Sequence, residues 1–304
     1  NSGRPPLEIG KSDMLNSINY DLPIASAQVK SCILFASLYS KGKTIVREKQ
    51  TTRNHTEIMF KQFGVPLSIR DTNGERDIEM YSPSYLKSTE IDIPGDFSSA
   101  AFFILAALII PNSNLIIKNV GMNETRTALL NAFQEMGAEI DIINKTGEFE
   151  PRADLKVKFS KLKGINLDTK LVPNLIDELP AFFIAAAMSS GSTAVRNAEE
   201  LRHKESDRLE AMGDVLRSLG VDFNMYHDGM DINGLDDNNA FSSYTGGIIE
   251  SFSDHRIAMS SAIACSLFDQ ESIILNTDNV NTSFPTFLNI SEQVGLDISL
   301  EESS

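Results

Sequence analysis

Lys204-Glu205-Ser206-Asp207-Arg208 is the densest run of side chains that could do chemistry. On a helix Lys204 and Arg208 share a face one turn apart. Glu205 lies beside them and can exchange protons while held between cations. Asp254-His255-Arg256 sets an arginine at a helix start, where its fork suits a phosphate or a carboxylate. Asp177-Glu178 precedes an apolar helix with Pro180 near its first turn. Burial at the floor of a cleft can raise a carboxylate's pKa toward general-base work. Ser26-Ala27-Gln28 brings a hydroxyl and an amide to another helix start, and Arg53 and Arg126 add further cations. Taken together, these residues point to small anions held beside a proton-accepting carboxylate. Each also suits a plainer role. Asp96, Asp177, Asp254, Ser206 and Asp207 can cap helices, and charges at helix starts are commonly solvated. Convergence on one crevice would separate the two readings.

The elements that must position these residues recur. A polar signal opens a helix of small and apolar residues, a strand-like run follows, and an amphipathic helix ends at a glycine; this pattern occurs four times. The closing glycines are Gly64, Gly137, Gly220 and Gly295, which lie 36 residues after Gln28 and 41, 43 and 41 after Asp96, Asp177 and Asp254. A period this regular is a repeat signature and sets the fold reading. The first helices are expected at about 26–39, 98–110, 180–189 and 257–267. They are apolar on nearly all faces and should be buried all round. Short β-branched runs at Lys43–Val46, Asn114–Ile117, Ser192–Val195 and Ser272–Leu275 read as strands. Helix periodicity marks Thr127–Met136 and Asp207–Leu216, Asp154–Phe159 reads as a strand, and a hairpin is expected around Asp228-Gly229. Each unit is then roughly βαβαββ, an α/β (α+β) plan with helices inside and sheets outside. Residues 92–304 should hold three complete units. Residues 1–91 should hold one unit and a remnant, as a partial first lobe with a cleft between the two.

Composition narrows the function. Of 304 residues 41% are hydrophobic and 23% charged, ordinary values for a globular protein. The longest apolar run, Ala100–Ile110, is 11 residues, too short to span a bilayer. A net charge of −15 argues against nucleic acid and anionic membranes. It makes clustered cations at repeat starts informative. Cys32 and Cys265 sit in apolar helices and are expected as buried free thiols of a cytoplasmic protein. The Asn-x-Ser/Thr triplets at Asn54, Asn123, Asn144, Asn281 and Asn289 carry no information there. The opening Asn-Ser-Gly-Arg-Pro-Pro reads as the interior of a loop, with an N-terminal piece expected upstream.

Six strings resemble the 5-enolpyruvylshikimate-3-phosphate synthase family: Leu22–Ser31, Gly95–Phe103, Asp177-Glu-Leu-Pro180, Glu199–Arg208, Ser253–Met259 and Thr282-Ser-Phe-Pro285. The resemblance runs through most of the chain in the right order. It implies a two-lobed enolpyruvyl transferase fold of βαβαββ units. It also implies transfer of a carboxyvinyl group from phosphoenolpyruvate to the 5-hydroxyl of shikimate 3-phosphate, with no cofactor, no metal and a monomeric enzyme. By motif, Ser26, Ala27, Gln28, Arg53, Asp177 and Lys204 would bind shikimate 3-phosphate. Gln28, Arg208 and Arg256 would hold phosphoenolpyruvate. Asp177 would accept the proton, assisted by Lys204, with Glu205 as second acid/base group. The family's N-terminal lysine-serine-arginine segment, glycine-rich loop and a further phosphate-binding arginine have no counterpart, and Thr282 stands where some members carry lysine. Two other readings stay open. One is UDP-N-acetylglucosamine enolpyruvyl transferase, whose loop cysteine neither Cys32 nor Cys265 matches. The other is an inactive or truncated anion-binding fragment of the same fold.

Overall fold

A computed structural model describes residues 6–72, 74–235 and 246–301. Of the expected opening loop, residues 1–5 lie outside them. The described chain forms two compact units, 1–92 and 93–304.

The first unit holds β1 (Leu15–Asn16), β2 (Asn19–Asp21), α1 (Ala27–Ser37), β3 (Ser40–Lys41), β4 (Lys43–Glu48), α2 (His55–Gln62), β5 (Leu67–Thr72) and β6 (Glu75–Tyr81). A four-stranded sheet runs β2-β4-β6-β5, with β2 parallel to β4 and the other pairs antiparallel. In β4 the burial alternates residue by residue, so Thr44, Val46 and Glu48 turn inward. The core here is small: Leu22, Leu34, Val46, Phe60, Val65, Ile78 and Met80.

The second unit holds α3 (Phe97–Ile109), β7 (Asn114–Gly121), α4 (Ala128–Glu135), β8 (Glu139–Thr146), β9 (Arg152–Lys158), α5 (Val172–Leu175), α6 (Leu179–Ala187), β10 (Ser192–Val195), α7 (Arg208–Ser218), β11 (Asp222–Tyr226), β12 (Gly229–Asn233), β13 (Gly247–Glu250), α8 (His255–Cys265), β14 (Ser272–Leu275), α9 (Asn279–Ser283) and α10 (Phe287–Gln293). The apolar helices α3, α6 and α8 pack on one another in the middle. Alanine-rich faces such as Ala100-Ala101 and Ala185-Ala186-Ala187 allow this close approach, and every residue of α6 is buried. The sheets β7-β9-β8, β10-β12-β11 and β13-β14 surround them. One continuous core extends from Phe97 to Phe287. Phe103 meets Phe284 and Phe287 at ring distances of 6.0 and 5.7 Å, which fastens the Thr282–Pro285 string to α3.

The repeat punctuation works as the glycines suggest. Gly64, Gly137, Gly220 and Gly295 follow the amphipathic helices with φ of +74°, +90°, +74° and +86°, the left-handed termination that glycine adopts without a Cβ penalty. Gly229 has a different reason. The hairpin turns on His227-Asp228, with Tyr226 paired to Gly229. A Cβ at Gly229 would lie 2.0 Å from the Val195 carbonyl oxygen of the neighbouring segment.

Several expectations need correcting. Helix α1 is not buried all round: only Lys30, Leu34 and Ser37 are buried, while Val29 and Phe35 are exposed, as is Tyr39 just past its end. Total burial requires neighbours on every side. α3, α6 and α8 supply that to one another, whereas α1 is the single helix of its kind among the described residues of the first unit. Cys32 is accordingly exposed and Cys265 partly so, though both are free thiols. The third repeat of the second unit has no hairpin after α10 among the described residues. Lys204 and Arg208 do not share a helix. Asp207 caps α7 at Arg208, leaving Lys204 in the preceding loop with extended backbone.

Candidate anion-binding site

In the first unit, α1 and α2 start beside a pocket of about 200 Å³ lined by Ala27, Gln28, Ser31, Arg53, His55 and Thr56. Ser26 acts differently, because its hydroxyl accepts the Val29 N–H at 3.3 Å and caps α1. Of the four sequence-predicted residues here, Ala27, Gln28 and Arg53 line the pocket. Ser31, His55 and Thr56 escaped sequence reasoning. Ser31 lies one helical turn from Gln28, a spacing that signals a shared face, and its hydroxyl meets that of Thr56 at 2.7 Å.

Beneath this wall lies a second feature that escaped it. Lys30, fully buried, sits 2.7 Å from Glu57 and 3.1 Å from Glu48, both equally buried. Glu48 in turn accepts the Thr52 hydroxyl at 2.8 Å and its backbone N–H at 3.4 Å. The chain from α1 through β4 thus reaches the residue before Arg53. A lysine inside an apolar helix carries no separate mark of burial in the sequence.

In the second unit the helix starts do converge. Three are capped by acids: Asp96 accepts Ser99 N–H at 2.8 Å, Asp207 accepts Glu210 N–H at 3.1 Å, and Asp254 accepts Arg256 N–H at 2.9 Å. Asp177 breaks the series. It lies in a 3₁₀ turn over Ile176–Glu178 ahead of α6, where no side chain caps the helix. Freed from capping, its Oδ1 stands 3.4 Å from Lys204 Nζ and 3.5 Å from Arg208 Nη1. Asp177 is 15% and Lys204 20% exposed, so this pair reaches solvent.

Arg208 is the hub of the group. Its side chain is 1% exposed and bonds Asp254 through Nε at 2.8 Å and Glu205 through Nη2 at 2.5 Å. Glu205 is half exposed, and Lys204 binds Glu200 at 2.6 Å. Arg256 donates from Nη1 to the Asp177 carbonyl oxygen at 2.8 Å. Thus Asp177, Lys204, Glu205, Arg208 and Arg256 form one connected group, although loop and helix, not a single helix face, deliver it. Burial alone would raise the Asp254 carboxyl. The Arg208 charge and hydrogen bond, with the Arg256 N–H, override that and hold it below the usual carboxylate range. Burial and then the Arg256 charge push His255 below the usual imidazole range.

Among the described residues no helix is long and apolar enough to cross a membrane. No group of three or more His, Cys, Asp or Glu among them could hold a metal ion.

Comparison with known proteins places this geometry in context. The family model described as EPSP synthase (3-phosphoshikimate 1-carboxyvinyltransferase) matches residues 1–290. The 3-phosphoshikimate 1-carboxyvinyltransferase of Methylococcus capsulatus is 46% identical over 299 residues, 98% of this chain and 66% of that protein. That of Legionella pneumophila strain Corby is 46% identical over 294 residues, 94% of this chain and 64% of that protein. The chain therefore spans just under two thirds of the length of these curated relatives. A solved EPSP synthase from Acinetobacter baumannii superposes with a TM-score of 0.85 at 40% identity, covering 99% of this chain and 67% of that one. The enolpyruvyl transferase NikO from Streptomyces tendae gives a TM-score of 0.74 at 13% identity, covering 96% and 67%, a likeness of fold alone.

Proposed function

Since the chain belongs to the EPSP synthase family, we propose that it transfers the enolpyruvyl group of phosphoenolpyruvate to the 5-hydroxyl of shikimate 3-phosphate. The observation that carries this reading is the group around Asp177: a carboxylate released from capping, with Lys204 and Arg208 on one oxygen and Arg256 on its backbone.

Asp177, assisted by Lys204, takes the proton of the 5-hydroxyl as that oxygen bonds to C2 of phosphoenolpyruvate, and C3 takes a proton from the Glu205 carboxyl. The tetrahedral adduct then returns a C3 proton to Glu205 as the C2–O bond to phosphate breaks and the C2–C3 double bond re-forms. Glu205, half exposed beside Arg208, is the second acid/base group. Arg208 and Arg256 hold the anionic groups of phosphoenolpyruvate. Ser26, Ala27, Gln28 and Arg53 serve shikimate 3-phosphate, Ser26 by fixing the start of α1 that carries the other two. Holding both substrates in attack geometry accounts for about 7–11 kcal/mol of barrier. Proton transfer by a placed carboxylate adds roughly 10²–10⁴ in rate. We assign the protein to the cytoplasm and take it as a monomer with these two metabolites as its partners.

Phosphate release tests the reading. It should require both substrates, fail when UDP-N-acetylglucosamine replaces shikimate 3-phosphate, and fall by roughly 10²–10⁴ in kcat for Asp177→Asn, which keeps the side chain's shape and a hydrogen-bonding oxygen but removes the base. Because the chain spans just under two thirds of its relatives' length, a second reading also has support, an anion-binding piece without turnover. Tight binding of both substrates without phosphate release would favour it. Absence of binding would overturn both readings.

A further inference from the structure

Glu178 has no part in the reaction above, yet its surroundings are specific. Its side chain is fully buried. Oε1 accepts the Ser98 hydroxyl, which itself accepts a bond from Arg126 Nη2. The same Oε1 lies 3.4 Å from Arg126 Nη2 and 3.6 Å from Arg256 Nη1. A carboxylate without solvent persists only where cations and donors compensate it. Here two arginines and a hydroxyl do so: Ser98 in the first turn of α3, Arg256 in the first turn of α8, and Arg126 just ahead of α4 meet Glu178 ahead of α6.

Arg256 is therefore held by consecutive residues. The Asp177 carbonyl accepts from Nη1 at 2.8 Å, and the Glu178 carboxylate faces the same nitrogen. Its backbone is fixed separately by the Asp254 cap. One end of the guanidinium is anchored, and the side chain remains 14% exposed. An arginine secured in this way loses less freedom when it grips an anion.

We propose that Glu178 is a positioning residue that holds the Arg256 guanidinium in its anion-gripping orientation. The consequence for substrate affinity rests on the role given to Arg256 above. A merely structural Glu178 would fasten three helices without selective effect on Arg256.

The test uses Glu178→Gln, which keeps shape and an acceptor for Ser98 but removes the charge, and Glu178→Ala, which removes both. Two readouts are taken: the phenylglyoxal labelling rate of each arginine by peptide mass spectrometry, and affinities for shikimate 3-phosphate alone and for phosphoenolpyruvate in its presence. In Glu178→Gln, Arg256 labelling should rise at least about fivefold while Arg202 and Arg208 keep their rates. Phosphoenolpyruvate affinity should fall about tenfold, and shikimate 3-phosphate affinity should change less than about twofold, since pre-organisation of one clamp is lost. Arg256 labelled at its original rate would overturn the proposal, whatever happens to binding. A rise shared by all these arginines, with both affinities falling together, would also overturn it, in favour of general loosening. A selective rise at Arg256 in a protein whose parent binds no phosphoenolpyruvate would support the positioning role and overturn the substrate reading instead. Should the alanine variant fail to fold, the glutamine variant alone decides.

Discussion

Asp177 differs from Asp96 and Asp254 by its backbone, not by its side chain. The latter two spend a carboxylate oxygen on a helix N–H; a 3₁₀ turn ahead of α6 leaves Asp177 outside that arrangement and able to meet Lys204 and Arg208. The sequence showed three acids at equivalent places and could not say which was released, because a cap and a base are the same residue type at the same spacing. At this scale pH gives the clearest expectation. His255, pushed below about 6.5 by burial and Arg256, protonates in the unfolded chain before it does in the folded one. Stability of the second unit should therefore decline as pH falls from about 7 through the folded pKa, then level off. Asp254, held below about 3.9 despite burial, contributes stability that is present above that value and lost as pH falls through its folded pKa. Urea titrations from pH 8 to pH 3 should show both limbs, and His255→Gln should remove only the upper one. A single acid limb in the unaltered protein would contradict the assignment of His255.

At the level of elements, the boundaries were legible wherever one local signal decided them. The four glycines at positive φ end the amphipathic helices, and β10 and β14 fall on Ser192–Val195 and Ser272–Leu275 as the β-branched runs predicted. Burial was less legible. Helix α1 reads like α3, yet it keeps an exposed apolar face and buries a lysine instead. Lys30 ties α1 to the start of α2 through Glu57 and to the end of β4 through Glu48. Lys30→Met would leave two buried carboxylates unpaired and should destabilise the first unit by about 3–5 kcal/mol. Hydrogen exchange should show faster opening of α1 and α2, with α3, α6 and α8 unchanged. Making Glu57→Met as well should recover part of the loss. A wild-type exchange profile in Lys30→Met would mean that the triad holds nothing together.

For the molecule as a whole, the two units differ in what holds them. Among the described residues one gathers seven buried apolar side chains, the other a core continuous through three mutually packed helices. Local opening should follow that difference. Amides of α1 should exchange at least about 100-fold faster than those of α6, measured on one sample; equal rates would show that core size does not set local stability here. The sequence by itself determined the repeat, the identity of the elements, and the chemical types gathered at each repeat start. Periodicity, capping residues and glycine conformation are local properties that a chain carries wherever it goes. Only the tertiary structure decided that Asp177 is the uncapped acid, that Lys204 and Arg208 meet it from a loop and a helix, that Glu178 is buried between two arginines, and that α1 keeps an open face. Those outcomes depend on which neighbours surround a side chain, and distances between segments far apart in the chain are written in no single stretch of it.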